Sequence, residues 1–250
     1  MKLCRAECGG ERFYAVLEGE RLERLEGTPF DGIQKTGDSC LLSQARLLSP
    51  TEPSKVVCIG KNYLDHAKEF DSKVPDEPLL FIKPSTAVVG QEERVEYPDF
   101  ATRVDYEGEL AIVIGKRCKN VSADSFQDVV LGYTCLNDIT ERDIQLKDGQ
   151  WTRGKGFDTF CPIGPWIETQ LDPSDLEITT RLNGEIKQHS RTSKLIFSLG
   201  KIIEHITACM TLLPGDVIAT GTPEGVGPMQ RGDTVEVEIE NIGVLRSHIS

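Results

Sequence analysis

Glu107 and Glu109 sit two residues apart in Asp105-Tyr106-Glu107-Gly108-Glu109-Leu110-Ala111-Ile112-Val113-Ile114-Gly115, a run otherwise rich in apolar and β-branched residues and closed by glycine. Such a run reads as a β-strand. Side chains alternate faces along a strand, so the two carboxylates would project together, roughly 6–7 Å apart at about 3.3 Å per residue. Ala111 and Val113 continue that face while Tyr106, Leu110, Ile112 and Ile114 form the other, so both faces read as at least partly buried. Repulsion and desolvation would make one glutamate keep its proton unless a cation or strong donors lie between them. The alternative is a strand end at the rim of a sheet, with both carboxylates in water.

Other residues of the right chemistry decide what the pair could do. Gly132-Tyr133-Thr134-Cys135-Leu136-Asn137-Asp138 alternates as a strand and ends on an aspartate. If it neighbours the acidic run, three hard oxygen ligands converge, a set that suits Mg²⁺ or Mn²⁺ better than zinc. Asp138 could instead cap a helix over Ile139-Thr140-Glu141-Arg142-Asp143-Ile144-Gln145. Lys155 lies between Gly154 and Gly156, glycines that would let backbone approach a ligand while the lysine reaches in. A buried lysine beside carboxylates is both a counterion and a donor to a developing oxyanion. His66 and Glu69 are spaced i, i+3 on a probable helix over residues 61–70, where a carboxylate can orient an imidazole as a general base. Taken alone, that pair reads as a solvated helix face; it acquires meaning if the helix closes over the glutamates. Lys83, at the end of Leu79–Pro84, could pair with an anionic ligand or be a charge at a sheet edge. The loop Gly221-Thr222-Pro223-Glu224-Gly225-Val226-Gly227-Pro228 lacks the Lys-Ser/Thr of a phosphate loop, but its glycines and the Thr222 hydroxyl could hold a small carboxylate.

The elements that must position these residues are mostly short strands. Residues 1–50 read as a small meander with strands at Phe13–Leu17 and Leu22–Leu25, and Pro50 and Pro53 mark a boundary before a larger domain over 54–250. Lys55–Gly60 is a compact apolar strand. Ser122 reads as the N-cap of one or two helical turns. Asn183-Gly184, between Leu176–Leu182 and Glu185–Gln188, is the strongest hairpin signal in the chain. Leu195, Ile196, Leu199, Ile202, Ile203 and Ile206 recur every three or four residues, as an amphipathic helix does. Thr234–Glu240 alternates strictly, as a half-exposed strand should.

Composition narrows the partners. A net charge of -12 over 250 residues disfavours nucleic acid and anionic membranes. No apolar run is long enough to cross a bilayer, and the first residues lack the apolar core of a secretory signal, so a cytoplasmic location is expected. Eight scattered cysteines without a Cys-x-x-Cys pair read as thiols in a reducing compartment.

From about residue 55 onward the chain resembles the fumarylacetoacetate hydrolase family. The resemblance is carried, in order, by Gly60-Lys61-Asn62-Tyr63-Leu64-Asp65-His66-Ala67-Lys68-Glu69, Phe81-Ile82-Lys83-Pro84-Ser85, Tyr106–Ala111, Asn137–Asp143, Trp151–Phe157 and Thr220–Gly227. It implies an α+β, β-rich fold, a mixed roll or sandwich with a few helices, usually dimeric and binding Mg²⁺, Mn²⁺ or Ca²⁺. It implies Glu107, Glu109 and Asp138 as metal ligands, His66 and Glu69 as a catalytic pair on a lid, and Lys155 as the lysine that stabilises an enolate or oxyanion. Gln145 and Thr222 match substrate-contacting positions. Lys61 stands where the family often has arginine, which keeps the charge but loses the two-pronged grip on a carboxylate. The expected activity is metal-dependent C–C hydrolysis of an acylpyruvate-like 2,4-dioxo acid. Oxaloacetate decarboxylation or isomerisation of a hydroxydienoic acid at the same site is the alternative, and a non-catalytic binding protein the third reading.

Overall fold

A computed structural model of the chain describes residues 1–65 and 74–250. Its strands in chain order are β1 (Lys2–Cys8), β2 (Glu11–Glu18), β3 (Arg21–Leu25), β4 (Lys35–Leu41), β5 (Arg46–Leu48), β6 (Lys55–Gly60), β7 (Leu79–Pro84), β8 (Val88–Val89), β9 (Arg94–Val95) and β10 (Val104–Tyr106). There follow β11 (Gly108–Ile114), β12 (Val130–Asn137), β13 (Thr140–Glu141), β14 (Cys161–Glu168), β15 (Glu177–Leu182), β16 (Glu185–Arg191), β17 (Val217–Ala219), β18 (Gly227–Pro228), β19 (Thr234–Ile239) and β20 (Gly243–Ile249). The α-helices described over their whole length are α1 (Arg142–Asp148), α2 (Thr152–Lys155) and α3 (Leu199–Cys209). The fold is α+β and strand-rich, as the sequence leads one to expect.

One large sheet runs β4-β3-β2-β1-β14-β12-β11-β17-β6-β7, a second runs β16-β15-β19-β20-β9, and a third is the small β13-β10-β18. The two faces of β11 build two cores. Leu110, Ile112 and Ile114 pack with Ile178, Val237, Ile239 and the α3 residues Ile202, Ile203 and Ile206, joining the large sheet to the second sheet and the helix. On the opposite face Ala111 and Val113 meet Val56, Cys58 and Phe81 from one end of the large sheet and Leu3, Val16 and Leu25 from the other. Residues from both ends of a sheet share a core only if the sheet rolls on itself. Burial of each such side chain stabilises by roughly 1.5–3 kcal/mol, and Ile112, Val113 and Ile114 are all wholly inaccessible.

The 1–50 meander forms β1–β5, and β1 pairs with β14, so it extends the large sheet. Asn183 and Gly184 both have positive φ, 53° and 82°, as the tight hairpin between β15 and β16 demands. The amphipathic helix starts at Leu199, capped by Ser198, because Leu195 is committed to a bridge with Tyr63. The segment after Ser122 is a 3₁₀ helix without a side-chain cap. The acidic run is not one strand: β10 ends at Tyr106, β11 starts at Gly108, and the chain passes from the small sheet to the large one at Glu107.

Candidate metal centre

The break at Glu107 is where the site is built. Two consecutive peptide N–H groups there are taken up by side-chain carboxamides: Glu107 N donates to Asn137 Oδ1 at 2.9 Å and Gly108 N to Gln188 Oε1 at 3.0 Å. Gly108 pairs with Asn137 across β11 and β12, so Asp138, one residue beyond, comes to lie beside Glu107 and donates its N–H to the Glu107 carbonyl at 2.8 Å. Glu107, Glu109 and Asp138 are 4, 2 and 1% exposed, and one oxygen of each lies within 4.8 Å of the others. The water-exposed rim is thereby excluded. Asp138 is no helix cap either, since α1 begins four residues later and Glu141 caps it by accepting from Ile144 N.

Three buried cations answer these carboxylates. Lys155 Nζ donates to Glu107 Oε2 and Asp138 Oδ2, both at 2.7 Å. Lys83 Nζ donates to Asp138 Oδ1 at 2.5 Å and to the Ile139 carbonyl at 3.0 Å. Arg142 spans Glu107 Oε1 at 2.8 Å, Asp105 Oδ2 at 3.0 Å and Gln145 Oε1 at 2.7 Å. Asp105, itself fully buried, is gripped from outside by Arg103 at 2.9 and 3.0 Å. Glu109 is the odd one out. Its Oε2 accepts from Gly221 N at 2.7 Å, and no ion pair to it occurs among the described residues.

The electrostatics follow that distribution. Burial pushes the Glu109 carboxyl well above the usual range, and Asp138 and then Glu107 push it further. Burial pulls the Lys155 ammonium down, but Asp138 and Glu107 outweigh it and raise it to about 12. Counting Asp105 and Arg103, four carboxylates face four cations in this cluster, but among the described residues no ion pair reaches Glu109, on which Lys155 acts only at longer range, so its burial is the least compensated. A hard divalent cation among three carboxylate oxygens would compensate it, so the donor set fits Mg²⁺ or Mn²⁺. The buried thiols nearby are poor competitors as ligands: burial raises Cys58 well above its ordinary value and Cys161 to about 12, and all eight cysteines are free.

The triad opens onto a cavity of about 310 Å³ walled by Ile59, Phe81, Leu146 and Trp151. Lys61, Gln145, Lys155 and Thr222 also line it, with the three acids and Arg142. Trp151 meets Phe81 edge to face at 5.3 Å. Lys61 holds φ at 57°, the left-handed region. Thr222 Oγ1 donates to the Gly108 carbonyl at 3.0 Å and accepts from Gln188 Nε2 at 2.8 Å, which ties its loop to the acidic strand.

The structure thus gathers Glu107, Glu109, Asp138, Lys155, Gln145, Thr222 and Lys61 around one cavity. Lys83 stands elsewhere. It is wholly inaccessible, does not line the cavity, and acts on Asp138 from behind, so it is neither an edge charge nor placed to touch a ligand in that cavity. The glycines beside Lys155 also differ from expectation: a Cβ on Gly154 would lie 2.8 Å from Gln145 N, and one on Gly156 2.5 Å from the Thr152 carbonyl. They let α2 pack closely rather than bring backbone to a ligand. His66 and Glu69 lie outside the described residues. Sequence reasoning missed Arg142, Asp105, Asn137 and Gln188, whose roles depend on register across three sheets.

Comparison with known proteins adds to this geometry. Residues 55–250 match the family model described as fumarylacetoacetate (FAA) hydrolase C-terminal, and residues 1–50 match one described as Rv2993c-like, N-terminal. The chain belongs to the fumarylacetoacetate hydrolase family. It is 51% identical over 246 residues to Protein Rv2993c of Mycobacterium tuberculosis, covering 94% of this chain and 93% of that one. It is 42% identical over 215 residues to the oxaloacetate tautomerase Fahd2a, mitochondrial, of Rattus norvegicus, covering 81% of this chain and 69% of the relative. The crystal structure of 2-hydroxyhepta-2,4-diene-1,7-dioate isomerase from Mycobacterium marinum superposes with a TM-score of 0.94 at 49% identity, covering 100% of this chain and 98% of the other. No helix among the described residues is long and apolar enough to cross a membrane.

Proposed function

We propose that this protein is a divalent-metal-dependent enzyme acting on small 2-oxo acids, and that it shifts a proton between keto and enol, or between positional isomers, of a diacid. The observation that carries the reading is the buried Glu107–Glu109–Asp138 triad on the wall of a cavity, with Glu109 left without a cation of its own among the described residues. A Mg²⁺ or Mn²⁺ ion held there would supply Lewis-acid polarisation of a 2-oxo group. Lys155, a donor on the same wall whose charged form Asp138 and Glu107 favour, would stabilise negative charge as it develops on the substrate oxygen. Gln145 and the Thr222 loop would orient the carboxylate, and the apolar walls would keep water out and strengthen every charge interaction inside. The pair His66 and Glu69 is assigned to proton transfer by resemblance. A homodimer belongs to the same proposal.

Arg142 and Lys155 are already bonded to carboxylates, whereas Lys61 lines the cavity with no ion pair among the described residues. A second, distal carboxylate is what such a lysine would take. Oxaloacetate and a 1,7-dioate, the compounds in two relatives' names, are both diacids.

A second reading, hydrolysis of an acylpyruvate, is favoured by the family model's description and by apolar walls that suit an acyl chain. One substrate panel separates the readings. Oxaloacetate, a 2-hydroxydienedioate and an acylpyruvate are given to the protein with Mg²⁺ or Mn²⁺, following enol absorbance, pyruvate and CO₂ separately. Interconversion of the diacids without pyruvate or CO₂ is expected. Faster release of pyruvate from the acylpyruvate makes the protein a hydrolase, CO₂ from oxaloacetate a decarboxylase, and metal binding without turnover a binding protein.

A further inference from the structure

The strand β16 is the outer strand of its sheet, and its residues Glu185, Ile186 and Lys187 are exposed, yet Gln188 beside them is only 1% exposed. A long polar side chain turned inward from an edge strand needs partners, because an unsatisfied buried carboxamide costs about 1–3 kcal/mol. All of its partners belong to the candidate site. Oε1 accepts from Gly108 N at 3.0 Å, between the two glutamates. Nε2 donates to Thr222 Oγ1 and to the Pro223 carbonyl, both at 2.8 Å. The hairpin is pressed onto these segments at two further points: a Cβ on Gly108 would lie 2.1 Å from Thr180 Oγ1, and one on Gly225 2.3 Å from the Lys187 carbonyl.

We propose that Gln188 is a positioning residue that couples the metal-ligand segment to the Thr222 loop, so that the cation's affinity and the 2-oxo acid's affinity depend on one carboxamide. The donor and acceptor ends divide the work. The acceptor replaces a ladder bond that Gly108 loses where the chain changes sheets, and so sets the direction of the Glu107 and Glu109 carboxylates. One donor fixes the Thr222 hydroxyl with its proton aimed at the Gly108 carbonyl, and the other holds the Pro223 carbonyl, so Thr222 keeps its place on the cavity wall. This rests on the metal reading above, and titrating the wild-type protein with Mn²⁺ first keeps the two failures apart.

The test compares Gln188→Glu, which keeps an acceptor for Gly108 N but loses both donors, with Gln188→Met, which loses both ends at similar size. Mn²⁺ affinity by calorimetry, oxalate affinity with Mn²⁺ present, and KM against kcat for the preferred diacid are measured alongside Tm. Outer partners of metal ligands are typically worth 10–100-fold. Gln188→Glu is expected to weaken oxalate and raise KM at least tenfold with no loss of Mn²⁺ affinity, and Gln188→Met to weaken Mn²⁺ and oxalate together at least tenfold. Wild-type protein that binds Mn²⁺, with both variants folded and within twofold in every affinity, overturns the proposal even if Tm falls. If Gln188→Met does not fold, a double-mutant cycle of Gln188→Glu with Thr222→Val decides: non-additive effects on KM support the coupling, and additive ones refute it.

Discussion

Glu109→Gln should make the metal-free protein more stable and the metal-loaded protein less stable than wild type. The substitution is nearly isosteric, and its amide oxygen can still accept from Gly221 N, where Glu109 Oε2 now does so at 2.7 Å. It removes a carboxyl that burial, Asp138 and Glu107 all push upward from an ordinary value of 4.5. Because the folded state holds this proton more tightly than the unfolded chain, stability from this group falls as pH rises from about 4.5 through the raised folded value. Each unit of that rise costs the ionised metal-free form about 1.4 kcal/mol, or about 3–6 °C in Tm for a chain of this size. The uncharged amide of the variant has no such slope. With a cation at one hundred times its Kd, wild type should gain about 2.7 kcal/mol, about 5–11 °C, and the variant nothing. Thermal melts in chelator at pH 6, 7 and 8, then with Mn²⁺, measure both arms. A variant that melts below wild type in chelator at pH 8, or that gains as much from Mn²⁺, refutes the account of Glu109.

Two further outcomes follow from the same geometry. Lys155→Met strips Glu107 and Asp138 of a shared ammonium 2.7 Å from each, and breaking a buried pair from one side costs about 3–5 kcal/mol; denaturant melts should show that loss, partly restored by Mn²⁺, with turnover abolished. Lys61→Gln should raise KM at least tenfold for diacids and leave 2-oxo monoacids within about twofold, a difference of roughly 1.4 kcal/mol or more for one charged contact; equal effects on both classes would remove Lys61 from distal recognition.

The chemistry of the centre was legible in residue type. Two glutamates in an apolar run, an aspartate ending an apolar strand and a lysine in a glycine-flanked segment each carry a desolvation cost that calls for a common partner, and they do come together. Placement was less legible. Strand alternation predicts that Glu107 and Glu109 share a face, but the convergence is achieved by a break at Glu107 and a change of sheet, which no propensity encodes. Lys83, at a strand end before proline, reads equally as an edge charge or as a partner for an anionic ligand; only the fold shows Asp138 and the Ile139 carbonyl as its partners. Gln188 is silent in sequence for the same reason. Simple alternation would put Gln188 on the same face as Ile186, which is exposed; a register shift between Thr180 and Arg181 in the pairing of β15 with β16 breaks the alternation there, and Gln188 is buried opposite Thr180.

The central claim is that a divalent cation on Glu107, Glu109 and Asp138 makes a 2-oxo acid yield its α-proton. Proton–deuteron exchange at C3 of oxaloacetate in D₂O, read by NMR, tests it most directly. Exchange well above the background rate is expected with Mg²⁺ or Mn²⁺, falling to background with chelator and in Glu109→Gln. Exchange that persists at the wild-type rate in chelator, or in that variant, would contradict it.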